Sequence, residues 1–393
     1  MELKIYSSSL ERKGIVENFR SLIWLRKYYE PGTFELHVPL TETNLSLLGM
    51  GTIITKNESE EAGIIEDIRL SDDPEDREMI VSGRFLSSLF DRRLVKNTFS
   101  FTGLTETAMH TLVNNVTSIP LVEDGTTHGY APTVTFQVTM KELLAVLTKL
   151  SKASGIGYRL YPDFANKKMI FQTYVGTDRS LSQSANERVI FSEGFQNLSG
   201  SEYTRNDQLL KTYAVVGGEG KGSNRVYVEV GGGTGLDLRE VFVDAKDVRS
   251  DQFATTEKYR EALQQRGINK LTSSIEAESI EFETIPNSNF IYKENYDLGD
   301  IVTVQKESWG IDIDYRVTEI QETYENGGMT VSLTLGNALP DRVEWEDEEA
   351  EEAEVPTKVS ELENDAGYVT SADGSIHVDI VSISTSDIDT ITA

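Results

Sequence analysis

The 393-residue chain contains no cysteine, so disulfides and thiolate metal sites are unavailable and thiol hydrolases are excluded. Basic residues are scarce: 37 lysines and arginines face 65 aspartates and glutamates, leaving a net charge of −28. The phosphate-neutralising charge that dominates nucleic-acid affinity is missing, which makes nucleic acid and anionic membranes poor partners. No run of 18 apolar residues occurs, and this excludes a membrane-spanning helix by length. The opening MELKIYSSSLERKG alternates apolar and polar residues and lacks the continuous apolar core of a signal peptide. It reads as a first strand in a protein made in the cytoplasm, without a membrane anchor.

Histidine is also rare. His37, His110, His128 and His377 are scattered, with no His-x-x-x-His pair and no carboxylates at ligand spacing, so no metal site and no cofactor are expected. No Gly-x-Ser-x-Gly elbow occurs; a Ser/His/Asp triad assembled from distant residues stays open.

What is present is mostly strand. Residues 15–83 carry β-branched and aromatic residues near period two in SLIWLRKYY, GTFELHVPL, GTIITKN, AGIIEDIRL and EMIVSGRF. Pro31, Gly32, Gly49, Gly51 and SDDPEDRE punctuate them, predicting a small antiparallel barrel or sandwich. The turn Ser71-Asp72-Asp73-Pro74 lacks the ligand periodicity of a calcium loop and reads as a hairpin tip. Trp24, Tyr28 and Tyr29 sit in an apolar strand-like run and are expected in the core; glycan contact, by these rings or by the glycine-rich loops further along, is the alternative.

Residues 104–116 (LTETAMHTLVNNV) and 140–150 (MKELLAVLTKL) have helical spacing. Thr139 and Glu142 fit a capping box for the second, whose core stripe is Leu143, Leu144, Val146, Leu147 and Leu150. Strands resume, followed by VVGGEGKGSNRVYVEVGGGTG. In it Gly218, Gly220, Lys221 and Gly222 invite a phosphate loop, but Gly222 stands where the magnesium-binding Ser/Thr belongs; hairpin tips are expected. Residues 255–279 predict the longest helix, interrupted by Gly267, with Tyr259, Leu263, Ile268 and Leu271 on one side. Strands close the series at about 280–336, as a second small barrel.

WGIDIDYRV (309–317) tests the case for an enzyme. It resembles the spaced acids of chitinase-type glycosidases, but aligning Asp312 and Asp314 with the inner acids puts Trp309 at the first acid and Arg316 at the proton-donating glutamate. Arginine has no proton to donate near neutral pH. Such an enzyme also needs about 250 residues of alternating strands and helices. As a strand, Ile311, Ile313, Tyr315 and Val317 face one way and Asp312, Asp314, Arg316 and Thr318 the other, with Asp314 and Arg316 placed for a weak pair. No catalytic residue is assigned.

After Leu339-Pro340, DRVEWEDEEAEEAE (341–354) holds nine acids and one arginine and reads as a solvated linker. The expected organisation is 1–95, first barrel region; 96–200, inserted α/β domain; 201–280, glycine-rich strands and a long helix leading back; 281–340, second barrel region; 341–354, acidic linker; and 355–393, a C-terminal tether or docking segment. The fold class is mainly β with an α+β insertion: two small antiparallel β-barrels plus inserted mixed domains.

The order of WLRKYYEPGTFELHVPL, LLGMGTIIT, IIEDIRL, IVSGRFLSSLFDRRL, GIGYRLYPD, VIFSEGFQNLSG, YDLGDIVTV and VTEIQETYENGGMTVSLTLG resembles the tail hub or tail-tip proteins of long-tailed bacteriophages, including the siphovirus Gp37-like group. The resemblance implies a structural virion protein of the baseplate hub at the tail tip, assembled in the bacterial cytoplasm. It implies a homotrimer whose six barrels continue the hexameric tail tube, with DNA passing only in transit. The implied partners are the tube or distal tail protein, the tape measure protein, and a fibre or receptor-binding protein reached through PTKVSELENDAGYVTS and the residues after it. A tail-borne cell-wall hydrolase and a glycan-binding adhesin remain the alternatives.

Overall fold

A computed structural model describes residues 1–337, apart from 58, 74, 75, 117, 221–223, 275, 276, 286, 287, 326 and 327. Residues 341–354 and 355–393, expected as linker and tether, lie outside the described residues, as do Lys221, Gly222 and His377.

The first part of the chain, to Phe85, is built from β1 (Leu3–Tyr6), β2 (Arg12–Val16), β3 (Ser21–Lys27), β4 (Thr33–Pro39), α1 (Glu42–Leu47), β5 (Ile53–Lys56), β6 (Gly63–Asp73) and β7 (Asp76–Phe85). Each strand expected between residues 15 and 83 is present. β3 and β4 alternate buried and half-buried residues without a break, as period two demands. α1 was missed; it is a single short turn, held by Thr41, whose hydroxyl accepts from the amide of Asn44 at 3.2 Å.

A 3-10 turn (Leu86–Arg92) leads to β8 (Leu94–Val95), β9 (Phe99–Leu104), α2 (Thr105–Thr111), a π-helical turn (Leu112–Val116), β10 (Val122–Asp124), β11 (Thr133–Val138), β12 (Lys141–Glu142), α3 (Leu143–Ser154), β13 (Gly157–Asp163) and β14 (Lys168–Tyr174). α3 buries Leu143, Val146, Leu147 and Leu150 as expected, whereas Leu144 is only half-buried. The capping box does not form. Lys141 and Glu142 pair with β8, which pushes the helix start to Leu143, and the Thr139 hydroxyl donates to Thr98 instead.

The remainder comprises β15 (Ile190–Ser192), β16 (Leu198–Asn206), β17 (Tyr213–Gly217), β18 (Tyr227–Gly231), β19 (Glu240–Asp244), α4 (Thr256–Ser273), β20 (Ala277–Thr284), β21 (Ile301–Lys306), β22 (Ile311–Glu325) and β23 (Gly328–Asn337). The helix expected to residue 279 stops at Ser273, because Ile280 and Phe282 are taken into a sheet core while Glu281 and Glu283 stay exposed. Gly267 does not interrupt α4. A Cβ there would sit 2.5 Å from Val230 and 2.7 Å from Val216, so glycine lets the helix lie directly on the sheet. Ile268 is exposed, since five residues after Leu263 a helix has turned about 140° past it.

The two regions expected as separate barrels share one sheet. Its order is β16-β20-β23-β22-β3-β4-β7-β6-β5-β1-β2, with β15 and β21 branching off β22. The joint is the antiparallel pairing of Leu22–Lys27 with Glu319–Tyr324. β2 and β16 end the sheet, each paired on one side only among the described residues, and no pairing there closes either half into a barrel.

Each half covers its own core. Leu22, Trp24, Phe34, Leu36, Val81 and Phe85 fill the first; Phe191, Phe282, Val302, Val317, Ile320 and Leu333 fill the second. A third core lies under α2, α3, β13 and β14, and a fourth between α4 and the three-stranded sheet β18-β17-β19.

Candidate functional site

WGIDIDYRV opens β22, and Asp312 and Asp314 do not form an acid pair. Asp314 accepts from the hydroxyls of Thr303 and Ser182, and Asp312 accepts from the Gln305 amide at 3.3 Å. The pair expected between Asp314 and Arg316 is absent: Arg316 donates to the carbonyl of Gly299 at 2.6 Å and lies 5.0 Å over the ring of Tyr28. The expected alternation ends at Val317. A bulge between Val317 and Glu319 makes Val317 and Thr318 both buried and turns Ile320 and Glu322 inward.

Trp24 and Tyr28 are fully buried, as core residues. The described histidines are engaged one by one: His37 with Glu35 and Glu78, His128 with Glu106, and His110 with Asp124 and Thr173. No group of His, Asp and Glu among the described residues is placed to hold a metal.

Asp124, His110 and Thr173 line up as a hydrolase triad would, from residues that no motif connects. The proton runs the wrong way, however. The Thr173 hydroxyl donates to Glu106 at 2.8 Å, so toward His110 Nε2, 3.1 Å away, it can only accept. An activated nucleophile donates to its imidazole. Thr173 is also buried.

Glu106 anchors this cluster. Burial alone would raise its carboxyl, but the amides of His128, Tyr130 and Gly129 and the Thr173 hydroxyl pull it down to about 2. A depressed carboxyl stabilises the fold fully above the ordinary glutamate range, and that stabilisation is lost as pH falls to about 2. Urea unfolding should therefore show a gap between wild type and Glu106→Gln that narrows by about 3 kcal/mol from pH 6 to pH 2. A gap independent of pH would contradict the assignment.

Where the two halves of the sheet meet, charges are buried together. Lys56 Nζ lies 2.5 Å from Glu322 Oε2, with side chains 2% and 1% exposed. The hydroxyls of Tyr292 and Tyr324 also donate to Glu322. Arg26 meets Glu61 at 3.0 Å, Asp297 at 2.5 Å and the Tyr292 hydroxyl at 2.8 Å. Burial pulls the Lys56 ammonium down. Burial works to raise the Glu322 carboxyl, but Lys56 and the Tyr324 hydroxyl lower it overall. Burial likewise opposes charge on Arg26, yet Glu61, Tyr292 and Asp297 raise it well above its ordinary value. These contacts tie β3, β5 and the residues after β5 to β22 and the segment before β21. They crosslink the two halves.

The opposite face of the sheet is mostly polar, with Leu25 and Ile23 set among its polar side chains. Across the strands, Glu281, Thr334, Glu319 and Lys27 form one row. Glu283, Ser332, Gln321, Leu25, Thr33 and Arg84 form the next. Thr330, Thr323, Ile23, Glu35, Ser82 and Asp67 form a third. Carboxylates outnumber cations there, and Lys27 and Arg84 are tied to Glu319 and Glu66. An open cavity of about 200 Å³ beside Ile53, Ile64 and Met169 contains Arg92 and Arg93 but no paired acid and base.

The family model described as Siphovirus ReqiPepy6 Gp37-like protein matches residues 2–337. No curated protein matches the sequence. In fold, the chain is similar to the tail protein from Neisseria meningitidis MC58, with a TM-score of 0.54 and 13% identity over 85% of this chain and 96% of that one. It is similar to the prophage MuSo2 43 kDa tail protein from Shewanella oneidensis, at 0.54 and 14% over 85% and 98%. The prophage tail protein gp18 from Listeria monocytogenes EGD-e gives 0.52 and 15% over 89% and 98%.

Proposed function

This chain belongs to the Siphovirus ReqiPepy6 Gp37-like family, and from that premise we propose that it is a structural tail component acting as a trimeric hub, joining the tail tube to host-recognition parts. The family match across residues 2–337 carries the reading. The open sheet supports it. A strand with a strand neighbour on one side only among the described residues invites pairing with another chain, and three copies covering one another's β2 and β16 edges would remove that liability. Residues 1–95 and 281–340 would then be the ring-forming regions, and 96–280 the insertions.

The polar face carrying Glu35, Glu281, Glu283 and Glu319 is the proposed lumen surface. Net negative charge there would repel DNA and limit sticking during transit. The tube or distal tail protein and the tape measure protein would meet the ring, and residues 355–393 would dock a fibre or receptor-binding protein.

Light scattering should give three times the 43.9 kDa chain mass for the chain's share of the particle, measured alone or after the tube partner's mass is subtracted from the complex, and negative-stain images should show threefold rings. Monomers without rings under every assembly condition, tube partner included, would overturn the hub.

A further inference from the structure

The small sheet β18-β17-β19 has one covered and one open face. α4 packs on it from one side and also touches β11 and α3, while the side chains of the other face stay half-buried or exposed. Ala214, Val216 and Val228 face the helix; Tyr213, Val215, Tyr227, Glu229, Glu240 and Phe242 are on the other side. Phe242 is 54% and Tyr227 47% exposed, and the loop between β18 and β19 exposes Leu236 to 97%.

The centre of this face is built rigidly. Arg225 lies over Gly217, where a Cβ would come within 2.7 Å of the guanidinium, so only glycine leaves it room. The guanidinium donates to the carbonyls of Gly218 and Gly217 at 2.9 and 2.8 Å and to Asp244 at 2.5 Å. It sits 5.7 Å from the Tyr227 ring and 5.4 Å from that of Phe242, holding both by cation–π attraction. Tyr213 adds a third ring, near enough to Glu229 for that carboxylate to raise its phenol.

We propose that this face is a carbohydrate-binding platform for a neutral polysaccharide. The apolar C–H face of a hexose stacks on exposed ring faces. Its hydroxyls donate to carboxylates such as Glu229 and Glu240, which have no use for a phosphate. Single-stranded nucleic acid also stacks on aromatics but needs a basic groove, and here the cation is spent on Asp244. A stable protein interface needs a desolvated apolar centre, whereas this face alternates rings with carboxylates in every row. The surface belongs to the single chain, so the proposal stands apart from the ring reading.

Affinity electrophoresis of the full chain through native gels containing soluble starch, laminarin, galactomannan or glycol chitin tests it. At least one polymer should retard the wild type, and the Tyr227→Ala/Phe242→Ala variant should lose at least tenfold in apparent affinity. Phe242→Tyr should retain binding, as should Trp309→Ala, which removes an exposed ring elsewhere. Circular dichroism establishes that the double variant is folded. No retardation by any of the four polymers, or equal retardation of folded wild type and double variant, would overturn the proposal.

Discussion

Glu322→Gln is expected to destabilise the protein by about 3–5 kcal/mol, because the Lys56 ammonium would be left in the core without its counter-charge. Lys56 has little else to turn to: the Tyr324 hydroxyl at 3.3 Å, and the faces of Trp24 and Tyr324. Both charges are costly to bury, so removing both behaves differently from removing one. Lys56→Met combined with Glu322→Leu should recover a large part of the loss, though not all of it, since the hydroxyls of Tyr292 and Tyr324 lose their acceptor. Urea midpoints at pH 7 for the two singles and the double read the coupling directly. A Glu322→Gln cost under about 1 kcal/mol would mean that the pair is solvated in solution.

Trp24→Ala should cost a similar amount, about 3–5 kcal/mol, by opening a large cavity beside Phe34, Phe85 and the Lys56 ammonium. Trp24→Phe should cost less than half of that. The indole Nε1 is buried without a hydrogen-bond partner, so phenylalanine forfeits volume and part of the cation–π contact but no hydrogen bond. Equal losses in the two variants would place a polar partner on Nε1 and contradict the packing described. Unfolding midpoints for both variants measured beside wild type decide it.

The strands of residues 15–83 were legible because period two is a local signal, and the core positions of Trp24 and Tyr28 followed from it. Arg316 alone was enough to empty the glycosidase pattern. The capping box at Thr139 was misread because a two-residue strand, Lys141–Glu142, competes for the same backbone, and its partner β8 lies more than 40 residues upstream. The helix end beyond Ser273 was misread for a related reason: Ala277, Glu278 and Ser279, the last residues of the expected helix, begin β20 instead, by pairing with strands β16 and β23 that are remote in sequence. The triad-like line of Asp124, His110 and Thr173 left no trace in sequence spacing, and its hydroxyl direction depends on Glu106, which only folding brings near.

By itself the sequence determined a mainly β chain without thiol chemistry or a membrane-spanning helix, its net charge, and the faces of its regular strands, since composition and short periodicities need no distant partner. Only the tertiary structure decided that the first and last strand groups are one sheet. The pairing of Leu22–Lys27 with Glu319–Tyr324 spans nearly the whole described chain, and no local pattern encodes a partner so remote. It also decided that Lys56 and Glu322 are buried, because the bulge after Val317 reverses the parity by which a reader would have placed Glu322 in solvent.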